Sequence, residues 1–331
     1  MRTTRRRFLL GFAGSMLGTR AAADAAHAVP PAAFPTHAVR IVVPYSVGLG
    51  PDIVARTLAV YLSERWGQNV VVDNRPGASG IVAFTEVRSV PADGHTLFIG
   101  DAGTLVVNPL IHRDLPYDPV RDLVPLTLLF RATFFVLTGG SSRFASMRDL
   151  LAAARAQPGQ VTYASLGNGH PSQVAIESLA AEAGVTLLHV PFKDAGAAFT
   201  AVANNDVDFM TFSWNSVAGL LKSGKLRPLA VAAHARSREA PEVPTLAETG
   251  APAVEMRPWA ALVAPAQTPA AARERIDRDA HAALMDENVR QHIEAAGFAV
   301  TPSSAAELTA LIDADRARYA ALVRSGRVQQ N

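Results

Sequence analysis

The amino-acid sequence predicts an α/β protein with two domains and largely parallel sheets. Its 331 residues, of which 49% are hydrophobic and 18% charged, are enough to bury two cores. From residue 39 onward, short β-branched runs alternate with longer helical patterns, which is typical of strands joined by helical crossovers. Two long extended runs, residues 124–140 and 254–269, interrupt this alternation.

The predicted strands are short apolar runs that end in polar or glycine-containing segments. The first two are joined by a helical pattern in which Val54, Leu58, Tyr61 and Leu62 fall on one face, and Gly67 is expected to end this helix. We predict strands at 39–45, 69–74, 96–101, 161–165, 186–192, 207–212 and 227–233.

The two long extended runs predict crossings between the domains. Residues 124–140 contain too few turn signals for a hairpin, and residues 254–269 follow the second half of the pattern. Two crossings imply that the C-terminal helices return to the first half. We therefore expect a discontinuous first domain, residues 34–135 and 258–331, a continuous second domain, residues 136–257, and a cleft between them.

The N-terminal residues predict an export signal. Residues 1–28 combine a positively charged start, a short apolar stretch and a small-residue cleavage site, and they resemble a twin-arginine signal with Arg5 and Arg6 as the pair. An amphipathic helix or membrane anchor is the less favoured alternative. Cleavage would remove five arginines and one aspartate from 31 basic and 29 acidic residues, which leaves a net charge of −2 and no basis for nucleic-acid binding.

Several chemistries are disfavoured by residue content. The chain has no cysteine, which excludes disulfides, thiolate metal sites and a cysteine nucleophile. The nine histidines show no zinc-ligand spacing, so we expect neither a metal nor a cofactor. An exported α/β hydrolase-like enzyme stays as the alternative function, although no G-x-S-x-G motif or Ser, His and Asp grouping supports it.

Four turns with similar composition follow predicted strands. They are rich in Gly, Ser, Asn or Thr, and in open α/β sheets the ligand binds beyond the carboxyl ends of the strands. No lysine completes a phosphate loop, and Gly48 and Gly50 are not followed by the third glycine of a dinucleotide site. A carboxylate is the remaining anion. The turns are residues 46–52, 74–80, 100–104 and 164–172.

The motifs, taken in order, resemble a known family. The chain reads IVVPYSVG, VVVDNRPGASG, PADGHTL, GTLVVNPLI, LPYDPVRDL, AQPGQVTYASLGNGHPSQ, HVPFKDAG, GKLRPLAVAA and EVPTLAETG. This order is similar to the Bug family, the TctC-like extracytoplasmic receptors of tripartite tricarboxylate transporters, over residues 34–328. The resemblance implies a monomeric, two-domain type II periplasmic binding protein that closes on a small carboxylic acid and delivers it to a large and a small permease subunit.

The resemblance also implies the ligand-binding residues. They lie in the four turns and in the segment after the VPFK motif. Carried over position by position, they are Ser46, Val47, Gly48, Asp52, Gly77, Ala78, Asp101, Gly103, Thr104, Ser165, Gly167, Asn168, Ser172 and Asp194.

Departures from the family pattern bear on the ligand. Val47-Gly48-Leu49 replaces the usual P-G-G, Asp101 replaces a hydroxyl residue, and Asp194 replaces a glycine. Two added acids near the cleft would repel a multiply charged anion, so a citrate-like ligand is disfavoured. His170 and Pro171 also replace small hydroxyl residues.

Each of these residues also has a structural interpretation. Asp52 fits a role in offsetting the helix dipole, and Asp194 fits an N-cap. Asp101 is equally suited to the cleft and to its own turn. His170 is expected more often as a surface or capping residue than as a ligand contact. Arg75 is expected to lock its loop, and Trp214 and Trp259 to lie in the core or hinge.

Overall fold

The computed structural model of the protein describes residues 34–330. The predicted export signal, residues 1–28, lies outside this part of the chain. The strands are β1 Val39–Val43, β2 Val70–Asn74, β3 Thr96–Asp101, β4 Leu123–Arg131, β5 Phe134–Gly139, β6 Thr162–Ser165, β7 Leu188–Pro191, β8 Phe209–Ser213, β9 Leu226–Val231, β10 Trp259–Pro265 and β11 Ala299–Val300.

The helices fill the connections between most of these strands. None of those in residues 34–330 is both long and apolar enough to cross a lipid bilayer. They are α1 Gly50–Trp66, α2 Ile81–Arg88, α3 Asn108–Ile111, α4 Pro119–Asp122, α5 Met147–Ala156, α6 Pro171–Ala183, α7 Ala195–Ala203, α8 Ala218–Lys222, α9 Ala270–Met285, α10 Glu287–Ala295 and α11 Ala305–Arg324.

The strands of the described chain form two sheets. The first has the order β11-β4-β10-β3-β1-β2 and the second β7-β6-β8-β5-β9. We call each sheet with its helices a lobe. The α/β class is confirmed, but the prediction of largely parallel sheets was too simple. The pairs β1–β2, β1–β3, β6–β7 and β6–β8 are parallel, whereas β4, β5, β9, β10 and β11 pair antiparallel, so both sheets are mixed.

Two extended segments connect the lobes side by side. The first extended run divides into β4 in the first sheet and β5 in the second, with a break at residues 132 and 133. At that break the Ala132 N–H donates to the Pro258 carbonyl at 2.8 Å, and the Phe134 N–H donates to the Met256 carbonyl at 3.2 Å. The two connections therefore form one hydrogen-bonded ribbon. The exact domain boundaries stay a prediction.

Alternating side chains give each sheet an apolar layer on both faces. Ile41 and Val43 pack with α1 and α9, whereas Val42 between them packs on the opposite face. Val136 and Leu137 divide in the same way in the second sheet. This alternation is the period of an extended chain whose two faces are both covered.

The ends of helix α1 are set by residues that the sequence analysis singled out. Pro51 and Asp52 lie in its first turn, and Gly67 ends it with a left-handed φ of 64° and an N–H bonded to the Ser63 carbonyl. The C-terminal helices pack on the same lobe, because Trp66 Nε1 donates to the buried Asp279 carboxylate of α9 at 2.7 Å. These contacts fix the C-terminal end of α1 on α9.

Candidate functional site

A cavity of about 750 Å³ lies between the two lobes at the carboxyl ends of β1, β3, β6 and β7. Its walls are largely apolar, with Leu49, Ile81, Leu166 and Phe192 contributing side chains from both lobes. The volume and the mixture of apolar walls with a few polar groups are typical of small-molecule sites. The four turns that the sequence predicts as ligand loops all contribute to its lining.

The structure brings together nine of the residues that the resemblance implied. They line the cavity and come from both lobes: Ser46, Gly77, Ala78, Asp101, Gly103, Thr104, Gly167, Asn168 and Asp194.

The other five residues lie behind or beside the lining. Val47 is 70% exposed on the surface, and Gly48 donates its N–H to Asp52 at 2.9 Å. Ser165 and Ser172 are buried within the fourth turn. Direct contact of these five with a ligand stays a prediction.

Asp52 is buried and supports the first turn. Its carboxylate pairs with Arg56 at 2.9 Å and accepts from Asn74 Nδ2 at 2.9 Å. Burial raises the pKa of Asp52, but the bonds from Arg56, the Gly48 N–H and Asn74 outweigh this effect, so the pKa is lowered. Asp52 is therefore ionised, and its hydrogen bonds to the Gly48 N–H and Asn74 connect the first turn to the second.

The second turn adopts a left-handed backbone conformation. Ala78 and Ser79 have positive φ angles of 45° and 49°, between Gly77 and Gly80 at 123° and 88°. Gly80 is required here, because a Cβ would lie 2.3 Å from Thr104 Cγ2 of the third turn. Successive N–H groups in turns of this kind form a concave anion-binding surface.

The lobes touch each other at the edge of the cavity. Ser79 Oγ of the first lobe donates to the Asn168 carbonyl of the second at 2.7 Å. Gly169 packs so closely that a Cβ would lie 2.6 Å from Ile111 Cδ1. The second and fourth turns therefore contact each other directly in this conformation.

Asp101 is a buried carboxylate in the cavity wall, only 3% exposed. Its Oδ1 accepts from the Thr104 N–H at 2.7 Å and from Thr104 Oγ1 at 2.8 Å, while its Oδ2 accepts a hydrogen bond from the Tyr45 hydroxyl. The two roles that the sequence left open, turn and cleft, are thus both observed. Burial, followed by the charge of Asp101 and the hydrogen bond to it, raises the pKa of Tyr45 well above its ordinary value. Tyr45 therefore remains a donor.

His170 lies beside this pair and caps helix α6. Its Nδ1 accepts from the Ser172 N–H at 3.1 Å, so the capping interpretation is confirmed, but the ring is only 8% exposed and lines the cavity. Its Nε2 has no hydrogen-bond partner among the described residues. Burial lowers the pKa of His170 to about 4, although the charge of Asp101 acts in the opposite direction. The ring is therefore neutral at pH 7 and carries its proton on Nε2.

The remaining charged groups lie at the rim of the second lobe. Asp194 is the N-cap of α7 and accepts from the Ala197 N–H at 2.9 Å, which supports its structural interpretation, yet it also lines the cavity beside Lys193. In the first lobe, His112 also lines the cavity, and burial lowers its pKa. Two carboxylates and one ammonium thus give the described lining an excess of negative charge.

His189, which sequence reasoning missed, lies with its Nε2 2.5 Å from Oγ of Ser165, one of the predicted ligand residues. The directions of their hydrogen bonds argue against a role for Ser165 as a nucleophile and for His189 as its base. The Gly169 N–H donates to Gln173 Oε1 at 2.7 Å, so Gln173 Nε2 is the group that faces His189 Nδ1 at 3.1 Å. The proton of His189 therefore lies on Nε2 and is donated to Ser165, which itself donates to the Gly167 carbonyl at 3.1 Å.

This pair therefore acts as a support for the fourth turn. Burial lowers the pKa of His189 to about 4, which also makes it a poor base at pH 7. Only the strand pairing of β6 with β7 brings the two residues together, so no local motif signals them.

A cluster of possible metal ligands lies away from the cavity, at His37, Asp93 and His95, whose donor atoms are within 4.8 Å of one another. The two imidazole rings stack at 3.6 Å with an angle of 9°. Stacked rings do not direct their in-plane lone pairs at one ion. The Thr36 N–H also donates to His95 Nε2 at 3.1 Å, which places the His95 proton on Nδ1, 3.2 Å from Asp93. The cluster therefore presents an N–H of His95, not a lone pair, toward Asp93.

Two α/β lobes joined by paired connections, with a cavity at the strand ends between them, define the periplasmic binding-protein class. The solved structure of R. palustris Rpa4515 with adipate shares this fold, with a TM-score of 0.84 and 30% identity over 90% of this chain and 100% of that chain. MatC from Rhodopseudomonas palustris with bound malate has a TM-score of 0.79 and 27% identity over 87% of this chain and 99% of its own.

Sequence comparison identifies the family. The profile described as "Tripartite tricarboxylate transporter family receptor" matches residues 54–327, and the chain belongs to this family. The UPF0065 protein in the tcbD-tcbE intergenic region of Pseudomonas sp. strain P51 is 34% identical over 328 residues, 99% of this chain and 96% of that protein. Protein BugT of Bordetella pertussis is 29% identical, over 88% and 90% of the two chains. The resemblance to Bug and TctC proteins is confirmed, and the family and its solved structural neighbours are binding proteins rather than enzymes.

Proposed function

We propose that this protein is a periplasmic receptor that captures a small organic acid between its lobes and delivers it, chemically unchanged, to a tripartite tricarboxylate-type permease. The observation that carries the proposal is the convergence of four strand-end turns from both lobes on one cavity. The bound adipate and malate of two similar structures support an organic acid as the ligand class. The receptor acts as a monomer and reaches the periplasm through the twin-arginine signal of residues 1–28.

Backbone N–H groups and neutral donors would hold the acid. The left-handed second turn would supply N–H groups, and Ser46 of the first turn, which lines the cavity, would supply a neutral hydroxyl donor. Lys193 is the one ammonium group in the described lining. Such a site recognises a carboxylate without a full counter-charge, which permits release to a permease.

The proposal is tested by thermal shift with a panel of acids, followed by calorimetry. A receptor is stabilised by an acid that it binds, with the logarithm of the acid concentration once this exceeds Kd, and we expect a rise in melting temperature for at least one mono- or dicarboxylate. NMR spectra of that acid after prolonged incubation should be unchanged. Conversion of the acid would favour the hydrolase-like alternative, and stabilisation by none of the acids would refute the receptor.

A further inference from the structure

The segment that follows helix α11, residues 325–330, contacts both lobes. Gly326 ends α11 with a left-handed φ of 74°, and the Arg327 N–H bonds back to the Leu322 carbonyl at 3.1 Å. This turn fixes the start of the segment to a helix of the first lobe. The residues after it lie where the two lobes meet, because their contacts divide between the lobes.

These contacts alternate from one residue to the next. Val328 is only 1% exposed and belongs to an apolar cluster of the first lobe, and Gln330 Nε2 donates to the Leu110 carbonyl of α3 at 3.2 Å. Arg327 and Gln329, by contrast, bond to the second lobe. The first lobe therefore anchors the segment, and the intervening residues hold the second lobe.

Arg327 supplies the charged contact with the second lobe. Its Nη1 donates to the Val185 carbonyl, just beyond α6, at 3.1 Å and lies 4.0 Å from Glu177 Oε2. Glu177 is 7% exposed, and its Oε1 accepts from the Tyr163 hydroxyl at 2.6 Å. Within residues 34–330, Arg327 is the only cation paired with this carboxylate. Its removal would leave a buried carboxyl group without a counter-charge.

The segment also contacts the fourth turn, which lines the cavity. Asn168 Nδ2 donates to the Gln329 carbonyl at 3.2 Å, while the Asn168 carbonyl accepts from Ser79 Oγ of the second turn at 2.7 Å. Ser79 and Gln329 both belong to the first lobe. A rotation of the second lobe that moves Asn168 away from Ser79 therefore also changes its position relative to Gln329.

We propose that residues 325–330 are a clasp that holds the second lobe in the closed arrangement, in which Asn168 contacts Ser79, and that opening of the cavity requires Arg327 to leave Glu177. The contacts are few, and the Arg327 side chain is 27% exposed, so they can break and re-form as the lobes move. This inference rests on the proposed function only for its consequence, which is slower release of a bound acid.

The test measures the separation of the lobes in ligand-free protein. The chain has no cysteine, so one cysteine can be introduced in each lobe, at Val82 and Leu188, which are 48% and 51% exposed. Val82 follows the lining residue Ile81, and Leu188 lies three positions before the lining residue Pro191. Single-molecule fluorescence energy transfer between dyes at these two positions then gives the open and closed populations.

Removing the Arg327 side chain should favour the open arrangement. Arg327→Ala should raise the ratio of open to closed molecules by about 5-fold or more, because both the hydrogen bond to Val185 and the counter-charge of Glu177 are lost. Arg327→Lys keeps a charged donor and should restore the ratio to within about 2-fold of the wild-type value.

Two further variants complete the design. Arg324→Ala is the matched control, since it removes the same charge from an exposed position in the last turn of α11 and should leave the ratio unchanged. Glu177→Gln keeps an acceptor for Tyr163 but removes the charge that faces Arg327, so it should shift the ratio in the same direction as Arg327→Ala. Melting curves establish which variants are folded, and Glu177→Gln decides the test if Arg327→Ala is not.

The outcomes separate this inference from the proposed function. Equal populations in the wild type and in folded Arg327→Ala would overturn the inference, because the contact would then persist while the lobes move. An equal shift in Arg324→Ala, or a wild-type protein without a closed population, would also overturn it. Stabilisation by no acid in the thermal-shift panel would refute the receptor function, whereas the clasp is decided by the ligand-free distances alone.

Discussion

Replacing Asp101 with asparagine should move the ligand preference of the protein from monocarboxylates toward dicarboxylates. The side chain is 3% exposed and lines the cavity, so its charge acts with little solvent screening. Two unit charges about 4 Å apart at an effective dielectric constant of about 20 interact by about 4 kcal/mol. The three hydrogen bonds to Asp101 and a larger separation reduce this value to about 1 to 2 kcal/mol, or about 5- to 30-fold in relative affinity.

Hexanoate and adipate form a matched pair for this measurement, because a methyl group of one replaces a carboxylate of the other. Calorimetry should show the ratio of their affinities shifting toward adipate by about 5- to 30-fold in Asp101→Asn. Asp194→Asn is the control, since asparagine preserves the cap of α7 and the residue is exposed, so its shift should stay below about 3-fold. An unchanged ratio in Asp101→Asn, or an equal shift in both variants, would refute the argument.

Three further predictions concern export, closure and pH. Replacing Arg5 and Arg6 by lysine should leave an uncleaved precursor in the cytoplasm, and normal periplasmic accumulation would exclude the twin-arginine route. Saturation with a binding acid should reduce the radius of gyration in solution scattering as the paired connections at residues 132–134 and 256–258 bend, whereas an unchanged profile would contradict hinged closure. Lowering the pH from 7.5 to 5 should reduce the free energy of unfolding by about 1 to 2 kcal/mol for each of His170 and His189, because their folded pKa values of about 4 lie below the unfolded value of 6.5 and the unfolded chain gains the protons. Urea titration of His189→Gln should show a weaker pH dependence, and an identical dependence would contradict the assignment of His189.

Much of the fold follows from local patterns in the chain. The seven predicted strands correspond to β1, β2, β3, β6, β7, β8 and β9 with bounds that differ by at most two residues. Gly67 ends α1 as predicted, and Asp194 caps α7. These features depend on side-chain period, on caps and on left-handed glycines, all of which involve residues within a few positions of one another.

Whether β4 and β5 pair parallel or antiparallel with their neighbours was harder to predict. The run of residues 124–140 was identified as a crossing, but its two strands pair antiparallel with β10 and β8, which gives mixed sheets. An extended run has the same period in either direction, so its sequence does not distinguish parallel from antiparallel partners.

The sequence by itself determined the α/β class, the family and the four turns that surround the cavity. Only the tertiary structure decided what the polar side chains in those turns do. Tyr45 and Asp101 are 56 positions apart, and Ser165 and His189 are 24 apart. Their protonation and donor roles depend on burial and on partners that strand pairing brings into contact. The composition of a turn shows which polar groups are present. Whether such a group has a hydrogen-bond partner is known only from the folded structure, which shows that His170 Nε2 has none among the described residues.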